Sequence, residues 1–481
     1  MSEKKKCGRF RLCLKWGFRI FLLIVLILAG ILGYFFREGI YKRYFLFPKQ
    51  AKAWAQFKAE RVEPGIATGW HEYRGMLHSH SELSHDSAAA FPEIVAALKK
   101  IDVDFICMTD HYEKGLADYS LGWNGMHDGI LFIRGYELDH GLMPWGIPEG
   151  TVFAAFDEPR ALAKRIRELG AVLFYSHTEK DRMWDLPELE GMEIYNIHTD
   201  YLEEPKGIIQ KMLPQLLLTV KPYPQQSLRI IFDPPAGQLA RWDDLNRTRH
   251  ITGIAANDTH QNVGVRAIYT PNDTVILKGT GEKHKIIKEF KLNFLTRALL
   301  KLCCGPLTPD QEFWRFELDA YHVSGHHVNT HVLAKDLTEE SILDALRAGR
   351  AFVAFTAIAD ATGFITYIEG DQGKVVMGES IAYKPGMQLV AAAPNQCRFL
   401  LLNHGKEIAR AEGARCTFDI PGPGKYRIEA HLNILGEWTP WIYANPIEVT
   451  ETAPEPPALP APAEEETGAA EADAVATDDA A

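Results

Sequence analysis

Five short apolar runs in this chain each end in a histidine or a carboxylate. The first delivers Leu77-His78-Ser79-His80-Ser81, with Asp86 following on a loop. Val103–Met108 delivers Thr109-Asp110-His111, and Ile130–Ile133 delivers Arg134-Gly135-Tyr136-Glu137, with His140 shortly after. Ala171–Tyr175 delivers Ser176-His177-Thr178, and Gly253–Ala256 delivers Asn257-Asp258-Thr259-His260. On a strand, the i, i+2 spacing of His78 and His80 turns both imidazoles to one face, where they suit one metal ion. A lone His-x-His or Asp-x-His pair carries little, because Asp and His are common in turns and caps. Five strand ends in succession carry more. Imidazole and carboxylate together suit zinc, manganese or iron, and this many ligands exceed one tetrahedral site. Two or three divalent ions are therefore expected, and clustered ions are suited to ester and phosphoester hydrolysis.

Such ligands need a scaffold that brings strand ends together. The helical spacing of Pro92–Lys100, Pro159–Leu169 and Thr338–Ala348 alternates with the buried-strand runs Val103–Met108, Ala171–Tyr175 and Ala351–Phe355. Gly170 and Gly349 stop the second and third of these helices. Strand–helix alternation predicts parallel βα units and an α/β barrel, whose chemistry sits at the C-terminal ends of the strands. Two stretches interrupt the pattern. Residues 199–235 hold six prolines and read as a loop-rich excursion. Residues 268–315 read as an insertion around a basic amphipathic stretch, Lys283 to Lys301, packed on the domain or lying on a membrane surface. From 361 to 452 short strands between Gly, Pro and Asn turns predict a small β-sandwich-like domain. Residues 453–481 are Pro/Ala/Glu low complexity with eight acids and no base, and are expected to be a disordered acidic tail.

The N-terminus carries a different signal. Ile20–Phe36 has no charged residue, and with Trp16 and Arg19 at its edge it suffices to cross a bilayer. Residues 1–52 hold twelve Lys and Arg against two Glu. The basic excess precedes the apolar stretch, which places the N-terminus in the cytoplasm and the remainder in the periplasm or outside the cell. The expected order is a basic tail (1–15), an anchor (16–36), a connector (37–70), a catalytic domain (71–360), the β-domain and the tail. The whole chain is acidic, with formal net charge −11, which argues against long nucleic acid as a partner. No Cys-x-x-Cys pair is present among the seven cysteines, so a thiolate zinc site has no support. Cys397 and Cys416 are either a disulfide or two separate thiols.

The ordered set His78-Ser-His80, Asp86, Thr109-Asp110-His111, Glu137, His177 and Asp258-Thr-His260 resembles the PHP (polymerase and histidinol phosphatase) superfamily of metal-dependent hydrolases. Gly191-Met-Glu-Ile-Tyr-Asn196, Asn257–Asn262 and Pro440–Pro446 resemble its carbaryl-hydrolase-like branch. The resemblance covers roughly residues 71–450 and implies a distorted (β/α)7 barrel with two or three metals at its C-terminal face. It implies that His78, His80, Glu137 and Asp258 hold one ion. It also implies that Glu137 bridges to a second ion held by His111 and His177, and that Asp86 and His260 complete that site or hold a third. His140 stands nearest to a further family histidine, with His198 as its substitute. Asp110 would orient a histidine or carry a proton, and Arg134 and Arg182 are candidates to grip an anionic oxygen. Two positions depart from the family pattern: Ser87 follows Asp86 where Gly is usual, and Thr178 follows His177 where Pro is frequent. The implied activity is hydrolysis of a small anionic or ester substrate. A phosphoester comes first, a carboxylic or carbamic ester second, and a non-catalytic metal-binding surface module is the remaining alternative.

Overall fold

The computed structural model describes residues 3–112, 122–153, 158–203, 206–280, 286–317, 319–371 and 373–452; the acidic tail lies outside them. The chain is mixed α/β. It begins with a helix, Glu3–Tyr41, that passes through a wider turn at Lys42–Leu46 into a second helix, Phe47–Glu60. The apolar part of the first is long enough to cross a membrane and is not covered by the rest of the chain. Phe47 and Trp54 are buried, so the second helix is packed onto the body.

Two sheets carry the strand ends of interest. In one, His71–Leu77 runs parallel to Phe105–Cys107, which runs parallel to Ile130–Ile133. In the other, Val172–Tyr175, Gly191–Asn196 and Thr252–Ala256 are parallel neighbours, with Leu142–Trp145 added antiparallel. Isolated bridges join the two, Ser79 to Thr259 at one junction and Gly135 to Trp145 at the other. Val172–Tyr175 and Gly191–Asn196 are buried throughout, as expected of parallel strands covered on both faces. The strands approach closely. A Cβ on Gly191 would lie 2.0 Å from the Phe174 ring, so only glycine fits beneath that aromatic.

The helices predicted from spacing occur as Phe91–Lys100, Pro159–Glu168 and Glu339–Ala348. Thr338 caps the last through its hydroxyl, which accepts from Ser341 N, and Gly349 ends it in a left-handed conformation.

Three expectations need correction. Residues 199–235 are largely helical, with helices at Ile197–Glu203, Lys206–Thr219 and Pro224–Leu228. Pro224 sits in a first helical turn, where its missing N–H costs nothing, and Pro214 lies inside a helix. The insertion is mostly a four-stranded antiparallel sheet, formed by 264–269, 274–279, 286–291 and 311–317, with one helix, Phe294–Cys304. The basic stretch is thus split between a strand and a helix. In the β-rich region, Gln388–Asn403 is one long strand, with a register shift between Ala392 and Cys397 around Pro394, which cannot donate to the ladder. The hydrogen-bonded path also joins strands from either side of residue 361: Asn329–Ala334 pairs with Ala351–Ala354, which pairs with Glu437–Ala444. Cys397 and Cys416 are free thiols.

Candidate metal centre

Left-handed backbone at the strand ends aims the site. His78, His177 and Asp258 have φ of 60°, 48° and 46°, conformations that non-glycine residues rarely adopt. Such strain persists where surrounding structure holds it, and it clusters at functional sites. It also corrects the expectation for His78 and His80. The strand ends at Leu77, and the left-handed turn at His78, not strand alternation, brings the two rings to 5.2 Å between centroids.

Eight of the expected ligands converge, in three groups whose donor atoms lie within 4.8 Å of one another: His80, Asp86, His111 and His260; His78, His177 and Asp258; and His78, His80 and Glu137. Glu137 Oε2 lies 3.3 Å from His78 Nε2, 3.7 Å from His80 Nε2 and 3.3 Å from His111 Nδ1, and its Oε1 lies 3.3 Å from His177 Nε2. Asp258 Oδ1 lies 3.2 Å from His78 Nε2 and 3.3 Å from His80 Nε2. Asp86 Oδ2 lies 3.3 Å from His111 Nε2 and 3.0 Å from His260 Nε2. The grouping differs from the one implied by resemblance: His111 sits with Asp86, His80 and His260, whereas His177 sits with His78 and Asp258.

The donor set fits divalent cations. His80 Nε2 and Asp258 Oδ1 are buried, face each other across 3.3 Å and make no hydrogen bond; Asp86 Oδ1 is likewise buried and unbonded. Buried polar atoms without partners are costly, and lone pairs that converge on one point suit a cation.

The metal-free electrostatics point the same way. Burial disfavours charge on His78, yet Asp258, Glu193 and Glu137 outweigh it and hold the ring well above its ordinary range. Against the same burial, Glu137 raises His177 to about 10, and Asp258 with Asp86 raises His260 to about 9. His80 goes the other way, to about 3, through burial and the neighbouring His260. Glu137 and Asp258 stay well below the usual carboxylate range despite burial, with His78 their largest opposing partner. Protons on His177 and His260 thus occupy nitrogens that a metal needs. With His78, likewise held protonated, counted beside them, metal loading at pH 7 should release roughly three protons per chain, measurable by calorimetry in buffers of different ionisation enthalpy. The metal-free protein should also lose stability as pH rises. Its folded rings hold protons up to about 10 and 9, whereas the ordinary value is 6.5. Their contribution is therefore full below 6.5 and disappears as pH passes 9 and then 10. Loaded protein, with those protons already displaced, should be flat over that interval. A flat profile in the chelated protein would refute this account.

Several residues that position these ligands carried no assignment from sequence. Glu193, buried on Gly191–Asn196, holds His78 Nδ1 at 2.5 Å and accepts from His177 N at 2.8 Å. That leaves His78 Nε2 facing Glu137 and Asp258, the arrangement by which an outer carboxylate orients a metal-binding imidazole. Its sequence signal is a charge inside an otherwise apolar strand, since a buried charge needs a partner. Ser176 Oγ donates to Glu137 Oε1 at 2.9 Å, and Asn196 Nδ2 donates to Asp258 Oδ2 at 3.3 Å. Ser84 Oγ pairs with His80 Nδ1 at 3.1 Å and accepts from His111 N at 2.9 Å.

Other candidates lie elsewhere. His140 is exposed, with φ of 63°, and joins none of the three groups. His198 is nearer, its ring centroid 5.2 Å from that of His260. His140→Ala should therefore keep activity within about tenfold, whereas His177→Ala should lose metal and activity together. Equal losses from both, with metal content followed by elemental analysis, would restore His140 as a ligand. Asp110 is buried, which raises it to about 6, and its oxygens accept from Ser81 N at 2.6 Å and Ser81 Oγ at 2.9 Å. It fixes the turn between His80 and Ser84. Arg182 forks onto the Ser176 carbonyl at 3.1 and 2.9 Å, and Arg134 donates to Gly122 O. Both guanidinium groups are thus engaged with backbone.

No protein-family model and no curated protein matches this chain. Among solved structures, it is similar to a two-domain protein from Bacteroides vulgatus ATCC 8482 that contains a predicted PHP-like metal-dependent phosphoesterase. The identity is 14%, the alignment covers 80% of this chain and 98% of the other, and the TM-score is 0.35.

Proposed function

We propose that this chain is a membrane-anchored, metal-dependent hydrolase of the PHP type that cleaves phosphoesters. The observation that carries the reading is the convergence of His78, His80, Asp86, His111, Glu137, His177, Asp258 and His260 from five strand ends into three linked donor groups. The closure of two sheets through the Ser79–Thr259 and Gly135–Trp145 bridges supports a distorted seven-stranded barrel. Zinc, manganese or iron bound there would act as a Lewis acid and lower the pKa of water toward neutrality. The chain's own residues supply the rest. Glu137 places one oxygen toward His78, His80 and His111 and the other toward His177, which suits a bridging carboxylate between two ions. Glu193 holds His78 in one tautomer, and Ser176 fixes the plane of Glu137. Asp110 keeps the loop bearing His80 rigid.

The test is turnover by the full chain in detergent micelles, comparing phosphomonoesters, phosphodiesters and aryl esters with Mn, Zn and Fe supplied singly. Phosphoester cleavage in any arm supports the proposal. Exclusive cleavage of aryl or carbamic esters would move the assignment to that chemistry. Tight metal binding without turnover of any substrate would make this a binding module.

The same reading places the N-terminus inside the cytoplasm, residues 16–36 in the membrane and the catalytic body outside. A reporter that is active only outside the cytoplasm, fused after Thr452, should be active. Activity from a cytoplasm-restricted reporter at that position would reverse the orientation.

A further inference from the structure

Outside the N-terminal helical segment, thirteen large apolar side chains are exposed among the described residues, and seven of them fall between Ile286 and Trp314. This concentration lies within the insertion. Its helix Phe294–Cys304 has two apolar faces. One, with Thr296, Leu300 and Cys304, lines a pocket together with Ala267, Val275 and Leu277 of the sheet. The other holds Leu295, Ala298 and Leu302 at helical spacing and points away; Phe294, Leu295 and Leu302 are 81%, 74% and 83% exposed. Ile286–Lys291 is the outer strand of the sheet and is exposed at every position. An apolar edge strand beside an apolar helix face is a liability in water unless something covers it.

We infer that a bilayer surface with anionic lipid covers it. This rests on the reading of the N-terminal helix as an anchor, which keeps the insertion at high effective concentration near lipid. Charge favours the same occupant. Residues 286–304 carry Lys288, Lys291 and Lys301 against Glu289, with Arg297 paired to Asp273 at 2.8 Å, whereas the chain as a whole has net charge −11. Cations interleaved with Leu, Ile and Phe suit an interfacial contact with anionic headgroups. A second copy meeting this face across a two-fold axis would set the same cations against one another.

The insertion springs from the metal-binding loop. Gly264 begins its first strand four residues after His260, and Asp319 at its far end accepts from Asn262 N and Val263 N at 2.9 and 3.0 Å. Contact with the bilayer would therefore hold the metal centre beside the lipid surface, in place to act on substrates at the headgroups.

The experiment uses the full chain reconstituted in phosphatidylglycerol–phosphatidylcholine vesicles, with photoreactive benzoylphenylalanine placed singly at Leu26, Leu302 or Leu435. Mass spectrometry should find lipid adducts at 26 and 302 and none at 435. Lys288→Glu with Lys301→Glu should reduce the adduct at 302 by about tenfold and leave that at 26 unchanged. Lipid adducts at 26 with none at 302 would overturn the inference and leave the anchor standing. A protein adduct at 302 would assign the face to a second copy or another protein. Absence of lipid adducts at both 26 and 302 would remove the anchor and this contact together.

Discussion

Glu137→Gln should lower kcat by about three orders of magnitude, with partial loss of bound metal and an intact fold by circular dichroism. Gln has nearly the shape of Glu and keeps one oxygen acceptor, so Ser176 Oγ can still donate at this position. What disappears is the negative charge that faces four imidazoles within 3.3 to 3.7 Å. Cations held a few ångströms apart repel strongly in a buried site, and a shared carboxylate offsets that repulsion. Lewis-acid stabilisation of developing charge is worth several kcal/mol, and ~1.4 kcal/mol changes a rate tenfold. Glu193→Gln provides the comparison. It also touches His78, but from the outer nitrogen, so metal affinity should weaken by about 10–100-fold while kcat at saturating metal changes less. If Glu137→Gln retains kcat within tenfold while loaded with metal, the carboxylate does not bridge and the grouping of ligands must be redrawn.

The sequence revealed which residues converge better than their geometry, for reasons visible in particular residues. Apolar runs ending in His, Asp or Glu mark buried strands whose polar ends must be solvated or paired, so Ile130–Ile133 and Val172–Tyr175 stood out with near-correct bounds. Chain pattern cannot show the left-handed turns at His78, His177 and Asp258, because periodicity assumes regular backbone. Those turns decide which ligands share a group, and His111 and His177 consequently separated. His140 followed from the resemblance, which implies a further histidine after Glu137; the structure leaves it exposed, with Ser176 and Glu193 supporting the neighbouring residues instead. Proline counting misread 199–235, because Pro224 opens a helix as readily as proline breaks one. Lys406–Asp419 went unseen as a strand because its inward positions are the small residues Ala409, Ala411, Gly413 and Cys416, which do not read as an apolar row, although it pairs along most of Gln388–Asn403.

His78→Ala combined with His80→Ala should leave fewer ions per chain by elemental analysis and abolish measurable turnover. The pair reaches all three donor groups: His78 belongs to two of them, and His80 joins the remaining one to Glu137. Loss of metal is also a loss of stability, because a ligand that binds only the folded state stabilises it by about 4 kcal/mol at a thousandfold excess over Kd. For a chain of this size that corresponds to a fall in Tm of roughly 5 °C. A second effect acts in the same direction. His78 is the buried cationic partner of Glu137, Glu193 and Asp258, and removing it leaves three carboxylates facing one another. A chelator separates the two. Wild-type protein treated with chelator loses only the metal contribution. The double variant should melt below even that once chelated, and its Tm should respond less to chelator than that of the wild type. If the variant keeps the full complement of ions, His78 and His80 are not ligands. If wild-type Tm is indifferent to chelator while metal is demonstrably removed, the three donor groups do not couple metal binding to folding.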